Sequence, residues 1–245
     1  MSTIQTKKTT TTKMPFLKST PRLDSNLSRE MHDGSLAENS NPVSYYDRST
    51  KITAALKEWA IVCKALEEGR QVLLLRKGGI MEYREGFQVK HNSFLLYPTY
   101  EHQSIESIQP DFAHELTAML QEERDKNKVR ITSYARAIAV KQIEDVSLLS
   151  QLQKYHIWNE SYVQVRVKYN PKKPMQVVLL RVYRLQDPIE VEMNSEWFGC
   201  RSWLDIQMFP SLTCLADNHD PFSDRPVIGD SLFDRIALEI NEILR

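Results

Sequence analysis

The spacing of apolar positions changes along residues 53–76. Leu56, Trp59, Ala60, Cys63 and Leu66 recur every three or four residues, the period of one helix face. Thr53 stands where an N-cap belongs and Gly69 where a left-handed C-terminal residue belongs, so the spacing predicts a helix between them. A hairpin over 58–76 competes, because IVCKAL also suits a strand. Gln71–Arg76 follows as a strand, and its unbroken VLLL predicts burial on both faces. That strand delivers Arg76, Lys77, Gly78 and Gly79 to one end. Phe87–Val89 and Phe94–Tyr97 read as further strands, with Pro98 ending the second. Tyr97, Thr99, Tyr100, His102 and Gln103 cluster where it ends.

Pro110 and Asp111 open an amphipathic helix to about Lys126, with Phe112, Leu116, Met119 and Leu120 as its apolar members. Residues 129–142 alternate as a strand does. Asp145 or Ser147 caps a short helix to about Tyr155. YVQVRVKY, within 161–169, fits a strand by alternation and a helix by Val163 and Val167. NPKKP at 170–174 is a turn. Met175–Tyr183 is a strong strand, Ile189–Met193 a weaker one, and Trp203–Met208 a candidate. Residues 210–229 read as loop. Asp230 or Ser231 caps a last helix with Leu232, Phe233, Ile236, Ile240 and Ile243 in one stripe. Strands and helices interleave without a steady βαβ rhythm. The expected fold is therefore α+β, one domain with a mixed or barrel-like sheet packed by helices.

Composition sets the boundaries of that domain. Residues 1–48 hold 14 Ser or Thr and three aromatics, too little apolar area to offset ordering entropy. They are expected to be a disordered tail, with the globular domain at 49–245 and its C-terminal helix at 230–245. Lys plus Arg and Asp plus Glu both number 32, so the net charge is zero. A strongly basic, non-specific nucleic-acid binder is thereby disfavoured, while a local basic patch is not. Three scattered cysteines, at 63, 200 and 214, give neither a disulfide framework nor a zinc knuckle. Reduced thiols and a cytoplasmic location are the expectation, with no membrane span.

The candidate chemistry lies at strand ends. Arg76 and Lys77 beside Gly78 and Gly79 suit an anion, through a guanidinium fork and close backbone N–H groups. A tight turn with solvated charges is the plainer reading. Tyr97, Tyr100, His102 and Gln103 suit an unstacked base, the rings stacking and the polar groups reading an edge; a structural corner fits equally. GCRSW supplies Arg201 and Ser202 for a phosphate, and Cys200 as an alternative nucleophile. Arg181, charged within a strong strand, needs a partner or solvent and joins the candidates. Asp217, His219 and Asp220 have ligand chemistry but sit in a polar loop. No metal or cofactor is expected.

ALKEWAIVCKALEEGRQVLLLRKGGI, FLLYPTYEHQ, LLRVYRL and GCRSWLDI, in that order over about 52–210, resemble the domain-of-unknown-function 1802 family, found largely in cyanobacteria. The resemblance implies no assigned activity. Some relatives are joined to restriction-endonuclease-like domains, which implies a role near DNA; no such block is legible in these 245 residues. A second resemblance concerns fold. ASCH domains, PUA-like β-barrels tied to RNA, carry a helix followed by GxKxxxxR, and Gly69, Gln71 and Arg76 stand at that spacing, with Gln71 in the place of the lysine.

Three functional classes follow. The first is a non-catalytic module that binds RNA, DNA or a nucleotide in a basic, aromatic-lined cleft. The second is an enzyme acting on a phosphate- or base-containing substrate, with His102 or Cys200 reactive. The third is a scaffold that engages a protein through the N-terminal tail or the C-terminal helix. The first is preferred. It requires the blocks at 76–79, 97–103 and 199–203 to meet in space.

Overall fold

A mixed sheet of seven strands organises the chain in the computed structural model, which describes residues 52, 54–77, 86–143, 145–169, 171–199, 201–205 and 222–245. The strands are β1 (Ala54–Trp59), β2 (Leu73–Arg76), β3 (Ser93–Thr99), β4 (Lys128–Ile143), β5 (Met175–Glu192), β6 (Trp203–Asp205) and β7 (Phe222–Pro226). Their order is β2-β5-β4-β3-β1-β6, with β7 also on β5. Only β1 and β3 run parallel; the other pairs are antiparallel. The long β4–β5 ladder shifts register at Ile131/Ser133 and again at Ala137/Ala139. Such bulges bend and twist a pair, and here they curl the sheet into the barrel-like α+β form expected from the sequence. The tail reading at 1–48, Gly78, Gly79 and Cys200 lie outside the described residues.

Alternation divides the core between the two faces of the sheet. Phe94 and Leu96 of β3 join Leu56, the buried face of helix α1 (Ala60–Glu67) and β2. Leu95 and Tyr97 point the other way, into a cluster with Ala55, Ile131, Tyr134, Tyr183 and Trp197. Side chains two apart along a strand share a face, so β3 must serve both clusters. Helices α2 (Pro110–Gln121), α3 (Glu160–Lys168) and α4 (Asp230–Ile243) supply Leu116, Val163, Phe233 and Ile240 to the first cluster. Among the described residues, no helix is long and apolar enough to cross a membrane.

Gly69 ends α1 as its position predicts. Its φ is +72°, its N–H donates to the Leu66 carbonyl (3.1 Å), and the Arg70 N–H donates to that of Ala65 (2.9 Å). This is a Schellman motif. A Cβ at Gly69 would also lie 3.1 Å from the Ile228 side chain.

The predicted helix from Thr53 is corrected at its first half. Ala54–Trp59 is a strand held between β3 and β6, and α1 begins directly after it. Ladder bonds on both edges and burial of Ala54, Ala55 and Leu56 outweigh a weak helical period. Phe87–Val89 is not a strand. Pro98 does not end β3, which continues to Thr99; β4 pairs only as far as Leu95, so this end has β1 as its neighbour. YVQVRVKY is helical, capped by Asn159, whose side chain accepts from the Tyr162 N–H (2.9 Å). Asp145 caps as expected, but the turns over Val146–Tyr155 are 3-10. β7 lies in a stretch that reads as loop, and Gly229, not Asp230, caps α4.

His156 is buried at 2% exposure, and burial pushes its pKa down to about 4. The unfolded imidazole titrates near 6.5, so the unfolded chain binds the proton more tightly. Stability is therefore intact above about pH 6.5 and falls as the pH drops toward 4, by about 2 kcal/mol at pH 5. Wild type should lose about 4–8 °C more in Tm between pH 7 and pH 5 than His156→Phe does. Equal losses would exclude this histidine as the cause.

Candidate functional site

Parallel pairing sets two strand ends side by side: Trp59 of β1 faces Thr99 of β3. β6 runs antiparallel to β1, so the residues entering it reach the same end, and the Lys57 N–H donates to the Ser202 carbonyl (2.8 Å). β2 brings Arg76 up to Glu58. These ends and α3 enclose a cleft of about 290 Å³. Its lining includes Lys57, Glu58 and Trp59 of β1, Arg76, Thr99, Glu101 and His102; Tyr162 and Arg166 come from α3, and Gly199, Arg201 and Ser202 from the segment before β6.

The base of the cleft is pre-organised by ion pairs. Arg76 donates from Nη1 to the Glu58 carboxylate (2.8 Å) and lies over the Phe87 ring, 4.7 Å from its centroid. The other Glu58 oxygen accepts from the Trp59 N–H (3.0 Å). Lys57, buried, spends its ammonium on the carbonyls of Trp197 (2.7 Å) and Gly199 (3.1 Å) and on Glu101 (3.5 Å). The cations are Lys57, Arg76, Arg166 and Arg201; the carboxylates are Glu58 and Glu101. Four minus two leaves a local surplus of two positive charges in a chain of zero net charge. Arg76 and Lys57 have carboxylate partners, so among the described residues the surplus sits on Arg166 and Arg201. Trp59 and Tyr162 present aromatic surface, although their rings also pack with Trp158.

Of the residues singled out from sequence, Arg76, Thr99, His102, Arg201 and Ser202 meet here. The other described candidates do not line it. Lys77 is buried and donates to the Val167 carbonyl at the end of α3. Tyr97 is core: its hydroxyl donates to the Met193 sulfur (3.2 Å), and burial pushes its pKa up to about 12. Tyr100 lies under the Arg124 guanidinium, 3.6 Å from its ring centroid. Gln103 accepts from the Ile61 N–H (2.9 Å), satisfying one open donor of the α1 N-terminus. Arg181 is ion-paired to Asp230 and packs on Phe233, which supplies the partner a charged strand residue needs. Gln71 is buried, holding the Leu73 carbonyl (2.8 Å) and the Ile157 N–H (3.2 Å). Burial pushes the Cys63 thiol well up, so it is no nucleophile. Among the described residues, no group of three His, Cys, Asp or Glu could hold a metal ion.

Lys57, Glu58, Glu101 and Arg166 line the cleft without having been singled out from sequence. Read as helical, Lys57 and Glu58 look like a solvated face. Two adjacent opposite charges just before a buried apolar helix are the one signal that could have marked them.

Solved structures similar to this chain include ASCH from Zymomonas mobilis, 14% identical, covering 76% of this chain and 92% of that one at a TM-score of 0.34. Two point mutants of the same protein match at 14% identity and TM-score 0.34, covering 94% and 95% of their chains. At that score the likeness transfers no residue and no activity. No curated protein matches. A family model described as a domain of unknown function, DUF1802, matches residues 55–238. That span takes in all of the described sheet but Ala54, with every strand end around the cleft, and the chain belongs to the DUF1802 family.

Proposed function

We propose that the cleft binds one nucleotide unit of single-stranded RNA or DNA and that the chain is a non-catalytic binding module. The observation that carries this reading is the meeting of Arg76, His102 and Arg201, from three separated blocks, around a cavity with a local cationic surplus. Phosphate is an anion that arginine forks suit. Trp59 and Tyr162 offer ring surface for a base. A volume of 290 Å³ admits a nucleotide and not a duplex.

Arg166 and Arg201 provide the test, because they hold the cleft's unneutralised charge among the described residues. Fluorescence anisotropy with labelled oligo-U and oligo-dT at about 50 mM salt should show binding by wild type, with affinity falling as salt rises. Arg166→Ala/Arg201→Ala should bind at least about tenfold more weakly and reduce the salt slope by about 0.7, the share of the one phosphate that a single nucleotide unit brings. Wild type that retains neither oligonucleotide, or a double variant with an unchanged slope, would end this reading.

A further inference from the structure

His102 is the one non-glycine residue with positive φ among the described residues, at +59°. An L-residue pays for that conformation through contact of its Cβ with backbone, and glycine does not. The turn around it is fixed from both sides. The Glu101 N–H donates to the Thr99 hydroxyl (3.3 Å), and the Glu101 carboxylate pairs with Lys57 (3.5 Å). Gln103, on the other side, accepts from the first turn of α1 (2.9 Å). Relaxing residue 102 would break these contacts, so the flanking residues hold its backbone left-handed.

The imidazole contributes nothing to that restraint. It is exposed, lines the cleft, and has no hydrogen-bond partner among the described residues. The fold needs a left-handed residue at this position, and glycine would meet that need with less strain. Strain retained where the side chain faces a cleft marks a functional constraint.

We infer that His102 is a ligand-contacting residue of the proposed nucleotide cleft, held in a strained conformation so that its imidazole hydrogen-bonds the bound nucleotide. This rests on the nucleic-acid reading above. The fold then trades stability for contact at a single residue, and the two can be separated by substitution. His102→Gly should raise Tm by about 2–4 °C. It should also weaken oligo-U or oligo-dT binding about fivefold, the worth of one hydrogen bond. His102→Asn, which tolerates the left-handed region, should leave Tm within about 2 °C of wild type and weaken binding to the same extent.

Glycine and asparagine variants both of clearly lower Tm would mean that the imidazole is structural, since glycine alone also adds unfolded-chain entropy, and would overturn the inference. So would a stabilised glycine variant with wild-type affinity, which leaves the cleft reading standing. Wild type that binds no oligonucleotide removes the cleft reading and this inference together.

Discussion

Arg76→Met destabilises the fold by about 3 kcal/mol, at the low end of the range for breaking a buried ion pair because the cleft admits water. The cause is the partner left behind. Glu58 keeps 7% side-chain exposure and, among the described residues, would retain only the Trp59 N–H as donor. The stacking of the guanidinium on Phe87 is lost as well. For a domain of this size the loss lowers Tm by about 6–12 °C. Glu58→Leu alone costs less, since Arg76 keeps 15% exposure and can turn toward the cleft. The double variant Glu58→Leu/Arg76→Met returns to within about 1 kcal/mol of wild type, because removing both charges also removes their desolvation cost. Urea denaturation of all four proteins measures the cycle. Losses that simply add would show that the pair is not coupled. If the cleft needs its cationic base, the double variant folds yet binds oligonucleotide more weakly, which separates the stability of the pair from its use.

The same pair shows where reading the chain as sequence stops short. Arg76 was legible because an unbroken apolar run ends at it, and Arg201 and Ser202 because they lead into another strand. The carboxylate that orients Arg76 was not. Ala54–Leu56 is buried on both faces, so β1 has no alternation to reveal it. Its apolar residues continue in register with those of α1, and a strand running straight into a helix reads as one longer helix. Long elements with a single exposed face, such as β4 and α2, were legible because burial imposes a period on them. Tyr97 illustrates the limit at one residue. It belongs to a block rich in binding-type side chains, yet it stands two residues from Leu95 and so shares its buried face. Thr99, at the end of β3, reaches the cleft instead.

Lys57→Met should release the segment that carries Arg201 while leaving most of the fold intact. The methionine keeps the length of the side chain and loses all three donors. The carbonyls of Trp197 and Gly199 lose their ammonium partner, and Glu101 loses its cation. The Trp197 carbonyl loses a buried hydrogen bond, while the exposed Gly199 carbonyl keeps the Arg201 N–H (3.0 Å), so the cost is about 1–3 kcal/mol in a closed site, and water entering the cleft brings it toward about 1. The effect on exchange is local: amides of 197–199 and 201–205 lose hydrogen-exchange protection, whereas those of the β4–β5 ladder keep theirs. Binding falls for an indirect reason. Lys57 already spends its donors on the protein and has little left for a ligand, so its removal acts by displacing Arg201. Lys57→Met should therefore weaken oligonucleotide binding about as much as Arg201→Ala, and the combined variant should be no weaker than either, since both remove the same contact. Additive losses would mean that Lys57 meets the ligand itself, and the clamp would have to be abandoned. Equal, non-additive losses would make this lysine the positioning residue that joins β1, the His102 turn and the Arg201 segment into one cleft.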